Sequence, residues 1–117
     1  KASGADGAVV VNQIRFTDFE GRALASLKSQ STLKVSADIA TSYKKDKPVA
    51  FVVALYDKQN RLERIAVVEQ TVEAGRTVTV QAGFDLPANT KNATVKVSVW
   101  DSLSGRKPYV PDISFPK

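Results

Sequence analysis

Asp18 and Glu20 stand two residues apart in a glycine-bearing stretch, Asp18-Phe19-Glu20-Gly21. Paired carboxylates can share acid and nucleophile roles in glycoside hydrolysis, or offer oxygen ligands to calcium. Carboxylates in turns more commonly accept hydrogen bonds from their own backbone, and that is the reading adopted for this pair. The chain has no His and no Cys, so imidazole catalysis, thiolate chemistry, disulfides and zinc-thiolate sites are all excluded. No nucleophile elbow, phosphate-binding loop or dinucleotide fingerprint is present. The expectation is therefore no catalytic residue, no metal and no cofactor. An internal lysine–asparagine crosslink would need a buried lysine near Asn12, which alternation places inward, but Lys34 and Lys96 both fall on outward positions.

Binding chemistry has more to work with. Trp100, the single tryptophan, falls on the outward parity of its strand, near the start of the strand that carries Ala50, Val52 and Ala54. An outer apolar patch of Trp100, Ala50, Val52 and Tyr109 follows, and three things could cover it. The C-terminal segment 108–115 could fold over it, a neighbouring domain could pack on it, or a sugar ring could stack on the indole. Self-coverage is the preferred reading. A second candidate surface is a basic end, where loop order gathers Tyr43, Lys44, Lys45 and Lys47 with Arg76, Arg106 and Lys107, diluted by Asp46, Glu73 and Asp101.

Seventeen Lys and Arg against 12 Asp and Glu give a net charge of +5, which suits an anionic partner, although a solubilising surface explains it equally well. No run of five like charges occurs, and Lys96 beside Trp100 is too little basic and aromatic interleaving for nucleic acid, so none is expected. The longest apolar run, residues 49–56, is far short of the roughly 20 residues that span a bilayer, so membrane insertion is not expected. The chain lacks Met and opens on small, polar residues, so it reads as a module cut from a longer secreted or cell-surface protein. Residues 1–7 are expected to be linker and residues 8–117 one domain, monomeric in isolation.

The elements that must position these residues are strands. Apolar residues alternate with polar ones: Leu33, Val35, Ala37 and Ile39; then Val78, Val80, Ala82, Phe84 and Leu86; then Val95, Val97 and Val99. Residues 8–17 place Val10, Asn12, Ile14 and Phe16 on one side, and residues 49–57 place Val49, Phe51, Val53 and Leu55 on the core side. Residues 62–70 continue after a polar turn, and residues 109–115, bounded by prolines, can form only an edge. Residues 22–31 read as a loop. The spacing predicts an all-β fold: an antiparallel seven-strand sandwich of immunoglobulin-like or fibronectin type III-like kind.

Two phrases, Val53-Ala54-Leu55-Tyr56-Asp57 and the stretch from Val95 through Trp100-Asp101-Ser102 to Lys107-Pro108, resemble accessory sandwich modules of large secreted or S-layer-associated proteins of Gram-positive bacteria. That resemblance implies a non-catalytic role beside glycan-processing or glycan-binding domains. The favoured function is a structural spacer or docking module whose partners are neighbouring domains of the same polypeptide. The alternative is a carbohydrate-binding module for cell-wall or plant polysaccharide, stacking sugars on Trp100 and Tyr109. A loop-tip protein-binding domain is a third reading.

Overall fold

The computed structural model describes residues 9–115; the expected linker at residues 1–7 and the expected domain start at residue 8 lie outside them. Seven strands follow one another: β1 (Val9–Thr17), β2 (Thr32–Thr41), β3 (Lys47–Tyr56), β4 (Leu62–Val72), β5 (Thr77–Asp85), β6 (Thr94–Trp100) and β7 (Ile113–Phe115). They form two antiparallel sheets, a three-stranded one in the order β1-β2-β5 and a four-stranded one in the order β4-β3-β6-β7, and residues 22–31 form no helix.

Alternation explains the layering. Leu33, Val35, Ala37 and Ile39 of β2 are fully buried, and they face Val53, Leu55, Val95 and Val97 of the opposite sheet in one core. Each large aliphatic side chain so buried contributes about 1.5–3 kcal/mol, so a one-residue slip of any central strand would forfeit several such contributions at once. β3 sits between β4 and β6 and carries Phe51 into the centre of the sandwich.

β1 departs from the simple pattern. Val9 and Val11, not Val10 and Asn12, face the core; Val10 is 43% exposed and Asn12 is exposed too. Gln13 then takes a φ of 53° and the register against β2 shifts between Asn12 and Arg15, so that Ile14 and Phe16 return to the core face. The cause is a β-bulge, whose extra residue inverts the parity of everything before it. With Asn12 turned outward, the asparagine of the postulated crosslink is also lost.

The last strand is an edge, as the prolines require, but a short one. Trp100 bridges Pro108, Tyr109 N–H donates to the Val99 carbonyl at 2.9 Å, and regular pairing resumes only at Ile113–Phe115. Pro111 can supply no N–H to the ladder between these points. The segment lies beside β6 in the plane of the sheet. It does not fold over the outer face, and the expected self-coverage of the Trp100 patch is corrected accordingly.

Both sides of the sandwich are tied. The rings of Phe16 on β1 and Phe115 on β7 stack with centroids 4.3 Å apart and 9° between planes. On the other side Arg64 Nε of β4 donates to the Asp85 carbonyl of β5 at 3.2 Å. β1 and β7 run the same way, so Val9, opposite Thr41, and Phe115, opposite Val95, lie toward opposite ends of a body measuring 50 × 28 × 22 Å.

Gly83, on the outward parity of β5, is required by close approach: a Cβ there would collide with the Leu33 carbonyl oxygen of β2. Gly83→Ala is expected to destabilise the fold by about 1–3 kcal/mol through forced displacement of the neighbouring strand. Phe115→Ala is expected to cost a similar amount, about 1–3 kcal/mol, by removing the ring that joins the two edge strands. Urea denaturation of each variant reads both values, and an unchanged midpoint would contradict the assigned role.

Candidate functional site

The topology sorts the loops as strand order requires. The β2–β3 loop (42–46), the β4–β5 loop (73–76) and the β6–β7 loop share one end; the β1–β2, β3–β4 and β5–β6 connections share the other. At the first end, Gly75 N–H donates to the Thr41 carbonyl and Ala74 N–H to Asp46 Oδ1, at 3.2 and 3.0 Å. At the second, Leu86 N–H donates to the Ser31 carbonyl at 2.8 Å and Thr90 Oγ1 to the Leu27 carbonyl at 3.1 Å.

Asp18 and Glu20 lie at that second end, and their chemistry is local. Glu20 and Arg22 both donate backbone N–H groups to Asp18 Oδ1 at 2.9 Å, Arg22 Nε donates to Asp18 Oδ2 at 3.0 Å, and an Arg22 Nη donates to Glu20 Oε1 at 2.9 Å. The same turn recurs between β3 and β4. Gln59 and Arg61 N–H groups reach Asp57 Oδ1 at 2.8 and 2.9 Å, and Arg61 Nε reaches Asp57 Oδ2 at 3.1 Å. In each, the residue before the arginine takes a positive φ, 90° at Gly21 and 63° at Asn60, so the pattern is Asp-x-x-Gly/Asn-Arg. The Arg22 backbone N–H, ahead of its guanidinium, holds the Asp18 carboxyl below the usual carboxylate range, and the Arg61 backbone N–H does the same for Asp57. A carboxylate held ionised in this way has no proton to donate as a general acid. Among the described residues no group of three acidic side chains is placed to hold a metal ion.

The residues anticipated as an outer apolar patch and a basic end do not all fall where expected. Trp100, Ala50 and Val52 share the outer face of the four-stranded sheet, with Ala50 directly opposite Trp100 in the register. Ala50, Val52 and Ala54 are buried although they face outward, because they form the floor of a trough between taller side chains. One wall holds Trp100, half-buried, and Lys96, whose ammonium lies 5.3 Å from the Tyr56 ring centroid. The other wall is a row on β4: Leu62, Ile65 and Val67, exposed to 52, 54 and 38%. This row was not singled out in the sequence, although Ile65 and Val67 alternate there with the core-facing Ala66 and Val68.

Tyr109 is not on that face. Its pairing with Val99 gives it the inward parity, where it packs against the core and its hydroxyl donates to the Pro48 carbonyl at 2.8 Å. Burial first, and then the nearby Asp101 and Tyr43, push its phenol above the ordinary value. Tyr43, Lys44, Lys45 and Lys47 line a cavity of about 390 Å³ at the same end. The Lys47 ammonium lies 4.2 Å from the centroid of the Tyr43 ring. Arg106 and Lys107 belong to the β6–β7 loop, where Lys107 N–H donates to Asp101 Oδ1 at 3.0 Å and Arg106 N–H to the Ser102 carbonyl at 2.9 Å.

No family model matches the chain, and no curated protein matches it. Among solved structures, β-glucuronidase 2 of Bacteroides uniformis is similar both as a calcium-binding mutant and in covalent complex with cyclophellitol-6-carboxylate aziridine. Each gives a TM-score of 0.59 at 9% identity, over 92% of this chain and 12% of that one. The likeness shows the fold, and the chain spans only about 12% of the length of those glucuronidase chains. A Bordetella pertussis protein designated ApaA aligns over 93% of this chain and 89% of its own at 16% identity, with a TM-score of 0.45.

The two aspartate turns set an acid dependence. A carboxylate with a lowered folded-state pKa contributes stability above its unfolded value of about 3.9, and that stability is lost as the pH falls through the folded value. The urea midpoint of the wild type is therefore expected to drop on acidification below about pH 4, and the Asp18→Asn, Asp57→Asn double variant to show a shallower drop. Parallel pH profiles for the two proteins would contradict this.

Proposed function

We propose that this sandwich, of immunoglobulin-like or fibronectin type III-like kind, is a non-catalytic module of a larger extracellular, glycan-associated protein. Its role is to space neighbouring domains and to dock one of them on the outer face of its four-stranded sheet. The observation that carries this reading is the row of Leu62, Ile65 and Val67, which leaves large aliphatic side chains in water beside the trough and Trp100. Contiguous exposed apolar surface of this kind marks interaction sites, and the segment expected to hide Trp100 runs alongside the sheet instead.

Two further observations support the setting. The fold matches a small part of a much longer glycosidase. The β3 and β6–β7 phrases resemble modules of Gram-positive surface proteins.

Sugar stacking on Trp100 is the second reading, favoured by the half-exposed indole on the same face. One experiment separates the two: acrylamide quenching of the single tryptophan, with plant and bacterial cell-wall polysaccharides added or with the natural neighbouring domain attached. Quenching is expected to fall when the neighbour is attached and to ignore every neutral polysaccharide. Protection by a polysaccharide instead would make this face a carbohydrate site.

Ile65→Lys and Val67→Lys are expected to change the stability of the isolated chain by less than about 0.5 kcal/mol, because both side chains already stand in solvent. The same substitutions are expected to restore quenching in the chain with its neighbour attached. A large loss of stability in the isolated chain would show that the row is packed, and would remove the docking face.

A further inference from the structure

A second surface lies at the end of the molecule where the β2–β3, β4–β5 and β6–β7 loops meet. Among the described residues these loops and the start of β3 carry six cations, Lys44, Lys45, Lys47, Arg76, Arg106 and Lys107, against four carboxylates, Asp46, Glu73, Asp101 and Asp112. Two of the carboxylates are already engaged: Asp46 accepts the Ala74 N–H and Asp101 the Lys107 N–H. Lys47 packs on the Tyr43 ring, and none of the six cations forms a side-chain ion pair with a described residue. Among the described residues, side-chain ion pairs within 4 Å involve Arg15, Arg22 and Arg61, none of which belongs to this end. The opposite end pairs Arg22 and Arg61 with Asp18, Glu20 and Asp57 and spreads Lys28, Lys58 and Lys91 over three separate loops, so what sets the first end apart is the clustering of Lys44, Lys45 and Lys47 around one cavity.

The cavity there, about 390 Å³, lies within the roughly 300–1,000 Å³ range of small-ligand sites. Its lining is Tyr43, Lys44, Lys45 and Lys47. The Tyr43 ring is capped by Lys47 at 4.2 Å, and Tyr109 is held by its hydroxyl to Pro48. The Lys47 cap leaves that face of the Tyr43 ring closed to a base or a neutral sugar, while Tyr43 fixes the Lys47 charge in place. Lysine ammonium groups are compact point charges, suited to a single anionic oxygen group and not to planar, bidentate recognition.

The geometry points to a binding site for an acidic polysaccharide, with one sugar carboxylate or sulfate held among Lys44, Lys45 and Lys47. Further anionic units along the polymer meet the field of Arg76, Arg106 and Lys107 on the adjoining loops. Nucleic acid is disfavoured because ring stacking beside the cations is what single strands require, and here Lys47 occupies a face of Tyr43. The site shares no residue with the outer sheet face, so it stands whether or not a domain docks there.

The test is titration of the chain with polygalacturonate and with heparin, beside dextran of similar length, duplex DNA and vesicles containing anionic lipid. Two triple variants accompany it: Lys44→Gln, Lys45→Gln, Lys47→Gln at this end, and Lys28→Gln, Lys58→Gln, Lys91→Gln at the other. Circular dichroism and the urea midpoint establish that both variants fold.

Salt-sensitive binding to one or both acidic polysaccharides is expected, none to dextran, and an affinity loss of about tenfold or more in the first variant against less than about twofold in the second. Carboxylate and sulfate are told apart by which polymer binds. Equal losses in the two variants would reduce the effect to net charge and overturn the proposal. No binding to either polymer, or tighter binding to DNA or vesicles through the same lysines, would overturn it too.

Discussion

β3 has no polar side chain between Val49 and Leu55, and the rest of the molecule is arranged around that fact. A strand apolar on both faces must be covered on both. On one face Val49, Phe51, Val53 and Leu55 meet the three-stranded sheet across the core. On the other, Ala50, Val52 and Ala54 are small enough that flanking side chains on β4 and β6 shield them without a second layer. Those flanking side chains then stand in water themselves. The exposed row on β4 is a consequence of how β3 is buried, and it costs the core no packing.

The aspartate turns show a second economy. Asp18 and Asp57 each organise a hairpin by accepting two backbone N–H groups and pairing with the arginine that closes the turn. Each such turn carries its own counter-charge. Where the connections instead hold lysines without carboxylate partners, the charge stays open to solvent at both ends, and at one of them Lys44, Lys45 and Lys47 gather around a single cavity.

Much of this was legible in the residues. The period-two faces of β2, β5 and β6, the edge position of the last strand and the sorting of loops to two ends all follow from alternation and strand order, and the structure shows each of them. The bulge at Gln13 was not legible, because a positive φ at a glutamine leaves no mark comparable to a glycine and parity alone assumes an uninterrupted ladder. Tyr109 was assigned to the wrong face for a related reason: its side depends on pairing with Val99, which no local pattern announces. The β4 row escaped notice because a strand with apolar residues on both parities does not say which of them is covered.

Val9 and Phe115 lie toward opposite ends of the long axis, and β1 and β7 run parallel to each other on adjoining edges of the two sheets. A pull along that axis therefore drags β1 lengthwise past β2 and β7 lengthwise past β6. The backbone hydrogen bonds of both ladders bear the load together in shear, and do not open one after another as they would if a strand were peeled. In a polypeptide under tension this sandwich transmits force along its strands, with the stacked Phe16 and Phe115 rings coupling the two loaded edges.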